Sequence, residues 1–239
     1  MTPPTWLHWP GAAPSGWTPA SLSSLVAWYD ASLISGSNGA TITSLSDQAG
    51  SLTLSGSGTL NTSAQNGLNT LSVSTAFTAS TSAFNGAASF AIASVFESSG
   101  SNVTHSVAYG STSRLFSQNL VTSFRTLLTY PGTGSAIATA STTTTGMRIL
   151  LSHNDGGAPH TRVDGTDYMG NWVVGGPFDA SNNHTVTVGN SSELCEIVFL
   201  QASSSFAVSD LEKLEGYLAH KWGLTANLPT NHPYKDYAP

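Results

Sequence analysis

The chain has 239 residues, of which 8% are charged, 39% are apolar and one is cysteine, with a net charge of −6. Apolar residues recurring in strand-like runs exclude a disordered chain, and a chain of this size can bury a core without disulfide or metal staples. Seven Lys plus Arg spread thinly form no basic stripe, so nucleic acid is not an expected partner, and no apolar run approaches the roughly 20 residues that cross a bilayer.

The opening MTPPTWLHWPGAAP lacks a positive n-region and an apolar h-region, so it does not read as a secretory signal. Prolines at 3, 4, 10, 14 and 19 disfavour regular structure and predict an extended arm over residues 1–20. Trp6, Trp9 and Trp17 on that arm need burial, either on their own domain or on a neighbouring subunit. Residues 21–239 then read as one domain.

SLSSLVAWYD (21–30) is an apolar stretch, and GATITSLSDQAG (39–50) places Ile42 and Leu45 before a turn. SLTLSG (51–56) alternates with period two, as a half-buried strand does. LNTLSVS (68–74) follows, then the dense apolar run ASFAIASVFES (88–98), then HSVAYG (105–110), SRLFSQ (113–118) and SFRTLLTY (123–130). The Thr-rich tract 132–146 reads either as a strand with an exposed Thr face or as a surface loop. MRILLSHND (147–155) is a strand, and TRVDGTDY (161–168) is a hairpin, because Asp164-Gly165 accepts the positive φ of a tight turn. HTVTVGN (184–190) alternates, and ELCEIVFLQ (193–201) is the most apolar strand. Cys195 within it reads as a buried small hydrophobe. Many short strands with turns between them predict an all-β fold, an antiparallel β-sandwich or jelly roll.

The period then changes. Leu211, Leu214 and Leu218 form one helical stripe, so a helix is expected over 209–222, packed on the sandwich. Ser209 and Glu212 have the spacing of a capping box. Gly223 supplies the stop, and Pro229 and Pro233 prevent resumption.

Four segments carry a family resemblance. They are LVAWYDAS with ITSLSDQAG (25–50), NGLNTLSV (66–73), the pair RILLSHNDG and TRVDG (148–165), and ELCEIVFLQ followed by LEKLEGYLAHKWGL and LPTNHPY (193–234). With them the chain resembles the concanavalin-A-like, laminin-G-like jelly rolls of phage structural proteins and bacterial surface proteins. The resemblance implies that helix and tail brace the sandwich, with Lys221 and Trp222 as packing and edge-covering residues. It also implies a non-enzymatic structural and adhesion protein: tail fibre, tail tip or capsid decoration. The near-uncharged surface and the absence of an export signal fit a virion protein made in the host cytoplasm. The arm would then attach it to other virion proteins, as an oligomer in the particle, with a host surface glycan as the ligand class. A bacterial carbohydrate-binding module is the alternative. The bland tract 132–146 departs from the family pattern, which commonly has an aromatic-rich strand ahead of the hairpin.

Three kinds of chemistry can be weighed on the residues. Glycoside hydrolysis needs two carboxyl groups about 5–9.5 Å apart at one site. Glu193 and Glu196 are three apart, which in a regular strand places them on opposite faces. Asp164 and Asp167 share that spacing and sit at a turn. No catalytic residues are therefore assigned, and no Gly-x-Ser-x-Gly or phosphate-cradling loop is present. The protein is expected to require no cofactor. Calcium is the ion for which Asn154, Asp155 and Asp164, with Asp167 nearby, offer hard oxygen ligands, although Asx residues also simply form turns. The seven histidines show no zinc spacing; His153 and His160 flank a Gly-Gly loop and could meet, with solvation of that turn as the plainer reading. For sugar binding, Tyr168, Asn171 and Trp172 lie with Asn182 and Asn183 in the polar connection 166–183. Against this, Trp172-Val173-Val174 also reads as a strand with Trp172 in the core.

Overall fold

The computed structural model describes residues 16–84, 89–98, 103–109, 114–120, 123–130, 134–140, 146–155, 158–170, 184–189 and 191–239. Within them the chain forms fourteen strands and one α-helix. The strands run β1 (Leu25–Asp30), β2 (Thr41–Leu45), β3 (Leu54–Gln65), β4 (Leu68–Thr81), β5 (Ser89–Ser98), β6 (Val103–Tyr109) and β7 (Arg114–Leu120). They continue with β8 (Phe124–Tyr130), β9 (Gly134–Ala140), β10 (Gly146–Asp155), β11 (Ala158–Val163), β12 (Thr166–Met169), β13 (His184–Val188) and β14 (Ser191–Ala202). The helix α1 spans Val208–Trp222.

All pairings are antiparallel. The strand order is β12-β11-β10-β5-β14-β4-β13-β6-β7-β8-β9, with β1 added on β14 and β2-β3 on β4. The sheet folds over so that β8 and β9 face β11, and β7 and β8 face β10. This is the antiparallel sandwich expected from the strand pattern. The tract 132–146 contributes β9, whose Ala136, Ala138 and Ala140 are buried while Thr139 faces out. Residues 134–140 of the tract therefore form a strand, in line with the first of its two readings, while 132–133 and 141–145 lie outside the described residues.

Two apolar clusters explain the strand compositions. Phe90, Ile92 and Phe96 of β5 point between the layers, with Phe77, Phe124, Val186 and Phe199. Ala91, Ala93 and Val95 alternate with them and point outward, beneath α1. A strand covered on both faces reads as one continuous apolar run. Here the alternation of large and small residues sorts the two sides. The small side lets α1 lie close to the sheet, burying Leu211, Leu214, Leu218 and Trp222 against Ile149, Leu151, Val198 and Leu200. At about 25 cal/mol per Å² of apolar area, each such leucine contributes roughly 1.5–3 kcal/mol.

The helix start differs from expectation. Ala207 occupies the N-cap position with no side-chain cap, and the Asp210 and Leu211 amides bond to its carbonyl. The helix thus begins one residue earlier, and Ser209 lies inside the first turn where its hydroxyl cannot cap. The expected stop holds: Gly223 adopts φ 71°, and the Leu224 amide closes on the Ala219 carbonyl at 2.7 Å. The tail then folds back on the helix. His220 Nε2 lies 3.0 Å from the Tyr234 carbonyl, and Lys235 Nζ donates to the carbonyls of Thr225 and Leu228. Tyr234 sits against Gly216, where a Cβ would come within 2.4 Å of the Tyr234 Cβ. Gly216→Ala should therefore cost about 1–3 kcal/mol despite alanine's better helix propensity. Denaturant midpoints, with hydrogen exchange over 229–237, would read both the loss and its location. A stabilised variant would contradict this packing.

Trp17 completes the helix-side cluster, meeting the Tyr217 ring edge-on at 5.7 Å. Pro19 is buried as well. The last residues of the proposed arm are thus seated on their own domain, while Trp6 and Trp9 lie outside the described residues.

Candidate functional site

The helix-bearing face of the sheet concentrates the charged groups. At its centre, β1 and β14 pair with Asp30 opposite Glu196. Two carboxylates directly across a ladder repel. Lys221 of α1 reaches between them, its Nζ 2.5 Å from Asp30 and 2.8 Å from Glu196. Glu196 is fully buried and also accepts from the indole N–H groups of Trp28 and Trp222, both at 2.7 Å. The rings of Trp28, Tyr217 and Trp222 surround the ammonium at 5.3–5.9 Å. Burial, reinforced by Asp30, raises the Glu196 carboxyl above its usual range, against the pull of Lys221 and Trp222. Lys221, expected as a packing and edge-covering residue, is packed and in addition forms a buried ionic clamp between helix and sheet.

The opposite-face expectation for Glu193 and Glu196 fails for a specific reason. A β-bulge between Leu194 and Glu196 shifts the register of β14 against β5. Parity is lost across Cys195, and both glutamates lie on the helix-bearing side. They still do not form a pair. Glu193 turns toward Asn61 and Thr70, while Glu196 is enclosed by α1. The register instead sets Glu193 opposite Glu97. These two line a cavity of about 210 Å³ with Ala64, Gln65 and Met147. Sequence spacing could not reveal this, because the partners are 96 residues apart and only strand pairing joins them. Cys195 is buried, which raises its thiol well above the ordinary range, and it contacts the Met147 sulfur.

A second charged row crosses β10, β11 and β12. Arg162 donates from Nε and Nη2 to the two carboxylate oxygens of Glu215, both at 2.8 Å. His232 of the tail approaches the same glutamate at 3.4 Å. Burial alone would raise the Glu215 carboxyl, but bonds from Arg162 and His232 hold it below its usual range. Beyond Arg162, His153 stands directly opposite His160 across the β10–β11 ladder. Their rings stack at 4.4 Å, and His160 Nδ1 lies 3.0 Å from Asp167.

Asn154 and Asp164, two of the three expected oxygen ligands, are not brought together. Asn154 is buried and accepts from the Phe90 amide at 2.7 Å, bracing β5. Asp164 lies at the other end of β11, in the hairpin turn at φ 48° with Gly165 at φ 84°. It accepts from the Ile149 amide at 3.0 Å and from Arg148 at 2.8 Å. Asn154 and Asp164 thus serve strand and turn, as Asx side chains commonly do. Asp155 neighbours Asn154 on β10, and its side chain lies outside the described residues, as do Asn171, Trp172, Asn182 and Asn183. Tyr168 is half-buried and packs against the cluster between the layers, while its neighbour Met169 and Ile137 on β9 are exposed.

No protein-family model and no curated protein sequence matches the chain. Solved structures do. The chain is similar to Trypanosoma rangeli sialidase with a TM-score of 0.52 and 14% identity, over 83% of this chain and 33% of that one. A mutant of that sialidase displaying trans-sialidase activity gives 0.52 and 14%, over 89% and 36%. The binding domain of botulinum neurotoxin DC, in complex with rat synaptotagmin II, gives 0.50 and 10%, over 90% and 54%. The chain spans about a third of the sialidases and about half of the toxin domain. At these identities the shared feature is the β-sandwich fold.

Proposed function

We propose that the protein is a recognition module: a rigid lectin-like sandwich that binds carbohydrate and performs no chemistry on it. The observation that carries this reading is the use of its buried acids. Asp30, Glu196 and Glu215 are each held by a cation inside the domain, and Asp164 by Arg148. Charges spent on joining helix, tail and sheet suit a body built to be presented. The rim where Ile137 and Met169 are exposed leads into the connection carrying Asn171 and Trp172, which with Tyr168 form the proposed sugar platform.

Display on a virion is the finer form of this proposal. It rests on the family resemblance of the four segments and on the low charge of the chain. Trp6 and Trp9 would then engage other virion proteins, with Trp17 fixing the arm's root on Tyr217. Removing residues 1–15 should leave a folded domain that no longer enters particles.

Hydrolysis is the second reading, and the facing of Glu97 and Glu193 in one cavity favours it. A glycan array probed with the full chain, with and without added calcium, tests the first. Saturable binding lost on Trp172→Ala is the expected result, and a flat array would overturn it. The same glycans, scored for released sugar, test the second. Product lost on Glu97→Gln or Glu193→Gln would make the protein an enzyme.

A further inference from the structure

We propose that His153, His160 and Asp167 form a site for one divalent transition-metal ion of the zinc class. The three side chains come from adjacent strands β10, β11 and β12, and each can place a ligand atom within 4.8 Å of the other two. Tetrahedral zinc with arms of about 2.0–2.1 Å needs its ligands about 3.4 Å apart, so small side-chain rotations close the set. Two imidazoles and a carboxylate suit a borderline cation, whereas calcium prefers oxygen throughout.

An independent observation points to a ligand. His153 is only 8% exposed, and its Nε2 is buried with no hydrogen-bond partner among the described residues. A buried polar atom left unpaired costs about 1–3 kcal/mol, which coordination would remove. Asp167 is the most exposed of the three, which gives an ion a way in from solvent. Three protein ligands leave a coordination position open to water. The bound ion would clamp the edge strand β12 to its neighbours, independently of whether the adjoining connection binds sugar.

The spacing rules for zinc miss this set because they describe ligands on one helix or one tight loop. Here the hairpin register creates the His153–His160 pair, and Asp167 arrives from the next strand.

The test uses the untagged, chelator-treated full chain titrated with Co²⁺, read by its visible absorption, and then displaced by Zn²⁺. One equivalent should bind, and Zn²⁺ should raise the melting midpoint. His160→Gln and Asp167→Asn change groups that are not fully buried, so both variants should keep the fold, checked by circular dichroism. Each should weaken binding at least ten-fold and abolish the Zn²⁺-dependent rise in midpoint. Absence of Co²⁺ and Zn²⁺ binding, or affinity unchanged in both variants, would overturn the site.

Discussion

Lys221→Met should lower stability by about 3–5 kcal/mol at neutral pH, because it leaves two buried carboxylates with no cation. Asp30 and Glu196 face each other across β1 and β14, and Lys221 is the cation held between them. Asp30 keeps bonds from the Ser32 amide and hydroxyl and Glu196 from two indole N–H groups, but Glu196 is fully buried, so the loss falls mainly on it. The sign of the pH dependence follows from the raised Glu196 carboxyl. A group whose folded pKa lies above its unfolded value supports the fold fully below the unfolded pKa. That support is lost as pH rises through the folded pKa. The variant's deficit should therefore be largest at neutral pH and shrink on acidification. Adding Glu196→Gln should recover much of it, because an amide carries no charge to strand. Urea midpoints for the four corners of this cycle at two pH values would decide. A pH-independent loss would mean that Lys221 acts through packing of its stem alone.

The second large effect involves a buried carboxyl whose pKa is shifted the other way. Arg162→Met removes the bidentate partner of Glu215, which is fully buried and, among the described residues, keeps only His232. A loss of about 3–5 kcal/mol is expected here also. Glu215 titrates below its usual range in the intact protein. It therefore stabilises above its unfolded pKa and ceases to do so as pH falls through its folded pKa. Acid should weaken the parent protein through Glu215 while weakening Arg162→Met much less, so the two curves converge. The double variant Arg162→Met with Glu215→Leu should regain most of the stability, since an apolar pair fills similar space. Parallel pH curves for parent and single variant would contradict the assignment of this ion pair.

Much of the fold was legible because side-chain period reports local geometry. The Asp164-Gly165 turn, the central apolar strands and the leucine stripe of α1 each follow from residues close in sequence. The functional face was less legible. Arg162 meets Glu215 across 53 residues, Glu193 meets Glu97 across 96, and Lys221 meets Asp30 across 191. Such pairs exist only once register is set, and a single bulge at Cys195 reverses the facing rule for Glu196. Asn154 and Asp164 misled in the other direction. Their composition suits an ion, but backbone amides and Arg148 take up their oxygens. Ser209 misled similarly, since a capping pattern one residue inside the helix has no free amide to serve.

The place of β14 has a consequence for biosynthesis. This strand lies between β1 and β5 and also touches β4, yet among the described strands it is the last to be synthesised. Earlier strands must wait for it with their pairing edges open, a state exposed to misassembly. Nascent chains arrested before residue 191 should therefore stay protease-sensitive and bound by chaperones. Those extended past residue 222, clear of the exit tunnel, should become resistant in a single step.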